Sequence, residues 1–255
     1  MKALFHFTPY LHMLTENVFK KELSKMTITY TDMIAMFGIG GAHPGGLGVT
    51  KQIIKKINKK NLNVLDVGCG TGQTLLYFAT HTVGHITGID LNPVMLAKAR
   101  GRIKGQPNVK LLQANAEKLP FEDNAFDVVI SESVTAFTDT NKSLREYMRV
   151  LKHKGILVLL EMTSNHPLSH DAMQEIKQFY QVPTVFTEQE WIDNLTAIGF
   201  KNITAEAISS QSEAVIDFDL NESINPSYFD LMANHYSLTE KYKDALSARL
   251  YFCEK

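Results

Sequence analysis

Cysteine is scarce: the 255 residues hold two, Cys69 and Cys253. Two thiols cannot build a disulfide framework or a cysteine-rich zinc site. Charge of either sign is not in excess, since 26 Lys and Arg face 27 Asp and Glu, a net charge of -1. Gripping a phosphate backbone needs a cationic face, so nucleic acid is not the expected partner. Residues Met1 to His6 lack the apolar core and cleavage site of a signal peptide. The uncharged stretch between Asp32 and Lys51 is broken by glycines, Pro44 and His43, so no bilayer-spanning helix fits there. No membrane span is expected, and a reducing, cytoplasmic setting is the default. The chain also lacks H-E-x-x-H, G-x-S-x-G, G-x-x-x-x-G-K-[ST] and Cys/His clusters, so neither a metal site nor a P-loop is expected.

What is present reads as a globular domain, with 44% hydrophobic and 21% charged residues, a composition that excludes disorder as the main state. The middle of the chain alternates short β-branched apolar runs with amphipathic stretches, which implies a parallel sheet with crossover helices. Strands are expected at 63–67, 85–90, 109–114, 126–131, 156–161, 202–207 and 248–253, and helices at 73–80, 93–102 and 140–151. Asn92 before Pro93 marks a helix start. Thr187 to Glu190 reads as a capping box, and its helix should stop at Gly199. Residues 1–60 look mostly helical, with a glycine-rich loop from Gly38 to Gly48. Residues 165–186 and 209–246 read as helical insertions over the sheet's carboxyl edge, where they would form a lid.

The most informative stretch runs Leu65-Asp66-Val67-Gly68-Cys69-Gly70-Thr71-Gly72. An apolar strand ends, the chain turns through three alternate glycines, and a helix begins. A β-carbon would block both the turn and the approach of a ligand to the backbone. A dinucleotide loop would need glycine where Gln73 stands, which disfavours a nicotinamide enzyme. These residues resemble the first motif of class I S-adenosylmethionine-dependent methyltransferases. The similarity continues in register through Ile86 to Asp90, Gln113 to Phe121, Phe126 to Ser131 and Arg149 to Gly155.

The resemblance implies a Rossmann-like α/β fold: a seven-stranded, mostly parallel sheet with helices on both faces. The methyltransferase domain would span 61–255, preceded by the helical extension. It implies S-adenosyl-L-methionine as cofactor, held by Asp66, Gly68, Cys69, Gly70, Thr71, Gly72, Asp90, Leu91, Asn115, Ala116, Glu117, Glu132 and Ser133. Asp90, 18 residues beyond Gly72, is placed to accept both ribose hydroxyls. Asn115 and Ala116 would read the adenine edge, with Asn standing where the family more often has Asp. Asp66 would tether the ammonium end, and Cys69 needs no redox role.

Methyl transfer from a sulfonium is a direct displacement, so the protein must align donor and acceptor, exclude water and keep the nucleophile unprotonated. Glu132, His43 and His235 are the candidate bases, with no order among them. The fourth strand is followed by Ser131-Glu132-Ser133-Val134 and lacks an Asn/Asp-Pro-Pro-Tyr signature. The pattern most resembles the small-molecule branch, which includes quinone-biosynthesis and natural-product enzymes. Aromatic and methionine residues in the insertions point to an acceptor with apolar surface. Phe229, Met232 and Tyr236 form a stripe expected to pack in the core or lid. A peptide or protein methyltransferase, and a non-catalytic cofactor-binding module, are the competing readings.

Overall fold

The computed structural model describes residues 28–39, 43–57, 61–81, 84–208 and 225–255. Helices α1 (Tyr30–Phe37) and α2 (Gly46–Ile57) precede the alternating region. That region comprises β1 (Leu62–Val67), α3 (Gln73–His81), β2 (Gly84–Asp90), α4 (Pro93–Arg102), β3 (Val109–Gln113), β4 (Phe126–Glu132), α5 (Thr140–Val150) and β5 (Leu151–Ser164). It is followed by α6 (His170–Tyr180), α7 (Glu188–Ile198), β6 (Lys201–Ala207), α8 (Ser227–Lys241) and β7 (Leu246–Glu254). All seven expected strands form one sheet, ordered β3-β2-β1-β4-β5-β7-β6. Strands β1 to β5 run parallel, while β7 lies antiparallel between β5 and β6.

Strand residues alternate between two apolar layers, as the two-residue side-chain period requires. Val128, Ile130, Val158 and Leu160 face Val49, Ile53, Leu75, Phe78 and Leu96, from α2, α3 and α4. Val129, Leu157 and Leu159 face Leu144 and Tyr147 of α5 and Trp191 and Leu195 of α7. Helices therefore cover both faces. The expected caps are in place. Asn92 Oδ1 accepts the Val94 and Met95 N–H groups, Thr187 and Glu190 close a capping box, and Gly199 ends α7 at φ 110°.

The structure departs from the sequence reading at three points. Helix α2 starts at Gly46, so the glycine-rich connector is shorter than 38–48, and residues 40–42 of it lie outside the described residues. Packing of Val49 and Ile53 in the α2 face outweighs the poor helix propensity of Gly46 and Gly48. Strand β5 begins at Leu151, where the helix was expected to finish, because Leu151 pairs with Phe126 of β4. Phe229 and Met232 of α8 pack on Met33, Phe37 and Ile39, but Tyr236 is 48% exposed and leaves the stripe. Residues 209–224 of the late insertion, and the N-terminus with them, lie outside the described residues. Helix α1 packs against α4, α6 and α8.

Trp191 is fully buried, 5.0 Å from the Phe186 ring, and its Nε1–H donates to the Met162 carbonyl at 3.3 Å. Trp191→Ala should cost about 3–5 kcal/mol in urea unfolding, the range for deleting a buried aromatic. A loss below about 1 kcal/mol would show that α7 is not part of the core.

Candidate functional site

The strand order reverses between β1 and β4, so their following loops diverge and leave a crevice at their carboxyl ends. The glycine turn stands in that crevice, with Gly68, Gly70 and Gly72 at φ 69°, 52° and 81°. Its shape is fixed by backbone bonds. Cys69 N–H donates to the Ile89 carbonyl at 2.8 Å, and Gly72 N–H to the Cys69 carbonyl at 2.9 Å. Two of the glycines serve different purposes. A Cβ at Gly68 would lie 2.2 Å from Val134 Cγ2, whereas one at Gly70 would meet no atom of the described residues within 4 Å. Gly68 makes room for the protein itself, and Gly70 faces space that no described residue fills.

Three carboxylates converge on this turn. Asp66, buried at the end of β1, has an Oδ2 with no hydrogen-bond partner among the described residues. Burial, then the charges of Glu132 and Asp90, hold its carboxyl well above the usual range. Asp90 accepts the Gly70 N–H on Oδ2 at 2.9 Å and the Asn92 N–H on Oδ1 at 2.8 Å. Burial raises its pKa despite those bonds. Each Asp90 oxygen keeps a second lone pair.

Glu132, at the end of β4, accepts the Thr74 hydroxyl at 2.6 Å and the Thr50 hydroxyl at 3.4 Å. His43 Nε2 lies 3.6 Å from Glu132 Oε1; it is buried and has no hydrogen-bond partner among the described residues. Next along the chain, Ser133 is left-handed, at φ 58°.

Around this centre lie the remaining expected residues. Thr71 and Cys69 are buried in the turn, and burial with Asp66 and Asp90 pushes the Cys69 thiol up, away from thiolate chemistry. Leu91 is 65% exposed beside Asp90, and Gln113 Nε2 donates to its carbonyl at 3.0 Å. Asn115 Oδ1 accepts the Glu117 N–H at 2.9 Å, so its side chain shapes its own loop, with Ala116 buried between them. Glu117 in turn accepts the Asp139 N–H at 2.8 Å, at the start of α5.

The three candidate bases separate into two places. His43 and Glu132 share one cluster. His235 sits apart, among aromatic rings from α1 and α6. Its Nδ1 is 2.9 Å from the Tyr180 hydroxyl, and its ring is 5.2 Å from Tyr30. Tyr30 also stacks on Phe137 at 6.4 Å and meets Phe179 at 6.0 Å. Burial lowers the His235 pKa to about 4. Thr50, Thr74, Tyr30 and Tyr180 were not anticipated. Thr74 had a faint signal, lying two residues beyond Gly72 in the first turn of α3. The other three had none.

A family model for a methyltransferase domain matches residues 65–159. The chain is 33% identical over 231 residues to the uncharacterized methyltransferase YodH of Bacillus subtilis, covering 89% of this chain and 99% of that protein. It is 36% identical over 134 residues to the demethylmenaquinone methyltransferase of Staphylococcus aureus, about half of each protein (51% and 53%). Its fold matches phosphoethanolamine N-methyltransferase 2 of Haemonchus contortus, solved with S-adenosyl-L-methionine, at a TM-score of 0.74 and 22% identity, over 94% of this chain and 60% of that one. The chain belongs to the class I S-adenosylmethionine-dependent methyltransferases. No helix among the described residues is long and apolar enough to cross a membrane.

Both turn glycines share the left-handed strain of about 1–2 kcal/mol that any Cβ would bear there. Gly68→Ala adds the clash with Val134, so it should be the more destabilising of the two in urea unfolding, with Gly70→Ala confined to the strain. Equal losses would contradict the different surroundings of these positions.

Proposed function

We propose that the chain transfers the methyl group of S-adenosylmethionine to a small-molecule acceptor, on O, N or C, by direct displacement. One observation supports this reading most. Asp66 is buried with an unsatisfied oxygen, between two further acids. An uncompensated buried carboxylate costs several kcal/mol, and a ligand carrying ammonium and sulfonium charges offsets that cost. In this reading Asp66 receives the ammonium group. Glu132 and Ser133, with His43 behind them, border the amino-acid end. The backbone of Gly68, Cys69, Gly70, Thr71 and Gly72 lies against the ligand. Asp90 accepts the ribose hydroxyls on its spare lone pairs. Leu91 offers an apolar platform to the adenine, and the loop of Asn115, Ala116 and Glu117 meets its polar edge.

When bound, the cofactor supplies an activated methyl group on a charged sulfur. The chain contributes alignment and the exclusion of water. The rings of Tyr30, Phe137, Phe179 and Tyr180 give the acceptor apolar contact. The described helices of the insertions, α6 and α8, cover it as a lid on the 61–255 domain, with α1 of the extension as a further wall. His235 is the group placed to orient the acceptor. Burial, which lowers its pKa to about 4, keeps it neutral, so it accepts a hydrogen bond there and does not retain the acceptor's proton. Tyr180 occupies its Nδ1, which leaves Nε2 for the acceptor. His43 stands with Glu132 on the cofactor side. Demethylmenaquinone and phosphoethanolamine, the acceptors named for two of the matched proteins, are both small molecules.

The test is incubation with isotopically methyl-labelled cofactor and a metabolite extract, followed by mass spectrometry. Label in a small molecule, lost in Gly70→Val together with cofactor binding, is the expected result. Label confined to peptide or protein would support the protein-modifying alternative. Tight binding with no labelled product would support a non-catalytic module. Unchanged affinity in Gly70→Val would overturn the placement of the cofactor.

A further inference from the structure

We infer that Glu161 is a positioning residue for this site: its buried carboxylate holds the turn after β4 in the shape that seats Val134 against the glycine turn. The inference rests on the cofactor site proposed above. Glu161 occupies the fifth parallel strand, on the face where Leu157 and Leu159 precede it. A third leucine would satisfy that layer, and an acid there is costly unless its oxygens are matched. They are matched by backbone. Oε1 accepts the Thr135 N–H at 2.8 Å and the Val134 N–H at 3.3 Å, and Oε2 accepts the Ala136 N–H at 3.4 Å.

The segment so held needs an anchor. It opens at Ser133, at φ 58°, a left-handed conformation that non-glycine residues rarely adopt. Each part of it reaches the site. Glu132 joins His43, Thr50 and Thr74; Val134 fills the space where a Cβ on Gly68 would stand; Phe137 stacks on Tyr30. Facing the carboxylate are Tyr147 from α5 and Tyr251 and Arg249 from β7. Arg249, opposite Glu161 in the ladder, is paired with Glu188 of α7 at 2.8 Å. Among the described residues no cation is ion-paired with Glu161. Burial pushes the Glu161 carboxyl up to about 7. Its acceptor strength is thus complete above that pH and declines as pH falls through it.

The experiment is calorimetric titration with S-adenosylhomocysteine between pH 6 and pH 8.5, alongside thermal unfolding, for wild type, Glu161→Gln, Val134→Ala and the double variant. At the upper pH each single variant should bind about tenfold more weakly, and the double no more weakly than the worse single, because both act through one contact. Lowering the pH should weaken the wild type more than Glu161→Gln. Binding by Glu161→Gln within twofold of wild type, multiplicative losses in the double, or parallel pH profiles would each overturn the inference. Should Glu161→Gln fail to fold, Glu161→Asp takes its place. If that also fails, Val134→Ala alone must weaken binding about fivefold, and a smaller loss overturns the inference. Wild type failing to bind S-adenosylhomocysteine would sink the cofactor reading itself, a result distinct from any of these.

Discussion

A carboxylate buried without a full set of partners is the constraint around which the rest of this protein is arranged. Asp66, near the end of β1, has an oxygen that no described group satisfies, and Glu132 and Asp90 add charge of the same sign. Folding alone does not favour such a grouping, since each acid would be cheaper in water or beside a cation. Its persistence makes sense if the missing partner arrives from solution. A sulfonium compound with a free ammonium carries charge of the right sign, and on the following turn no described residue fills the space over Gly70.

The sheet order explains why these groups meet. Because β1 sits between β2 and β4, the strand ends bearing Asp66, Asp90 and Glu132 are neighbours, although they are widely spaced in the chain. The sharp turn after β1 is held to β2 through Cys69 and Asp90, so the two ends form one rigid rim. The turn after β4 is held to β5 through Ser133 and Glu161. Rigid backbone on both sides of a crevice is what a direct displacement demands, because its rate depends on alignment more than on reactive side chains. The helical segments contribute the softer part. Rings from α1 and α6 collect around His235 of α8, which burial keeps neutral.

Much of the fold was legible because its signals are local. Runs such as 126–131 are short, β-branched and bounded by turn residues, and six of the seven strands lie within two residues of their expected bounds, while β5 runs from Leu151 to Ser164. The caps at Asn92 and Thr187 are spelled in adjacent residues. Gly46 was misread because glycine density signals a loop, while the packing of Val49 and Ile53 that makes it helical is tertiary. The same distinction holds in the site. The glycine turn and Asp90 carry a motif. The bond of Thr50 to Glu132 spans 82 residues, and that of Tyr180 to His235 spans 55, and contacts at that separation leave no local trace. Glu161 looked like the end of an apolar strand, and its purpose emerged only with the three N–H groups it faces.

The most direct test replaces Asp66 by its neutral isostere. At pH 8, Asp66→Asn should unfold at higher urea than wild type, because an acid whose charged form burial disfavours is gone, and should bind S-adenosylmethionine at least about tenfold more weakly, the lower bound for a lost charged hydrogen bond. A variant that is less stable than wild type yet binds the cofactor equally well would contradict the view that this site is built around an acid awaiting a cation.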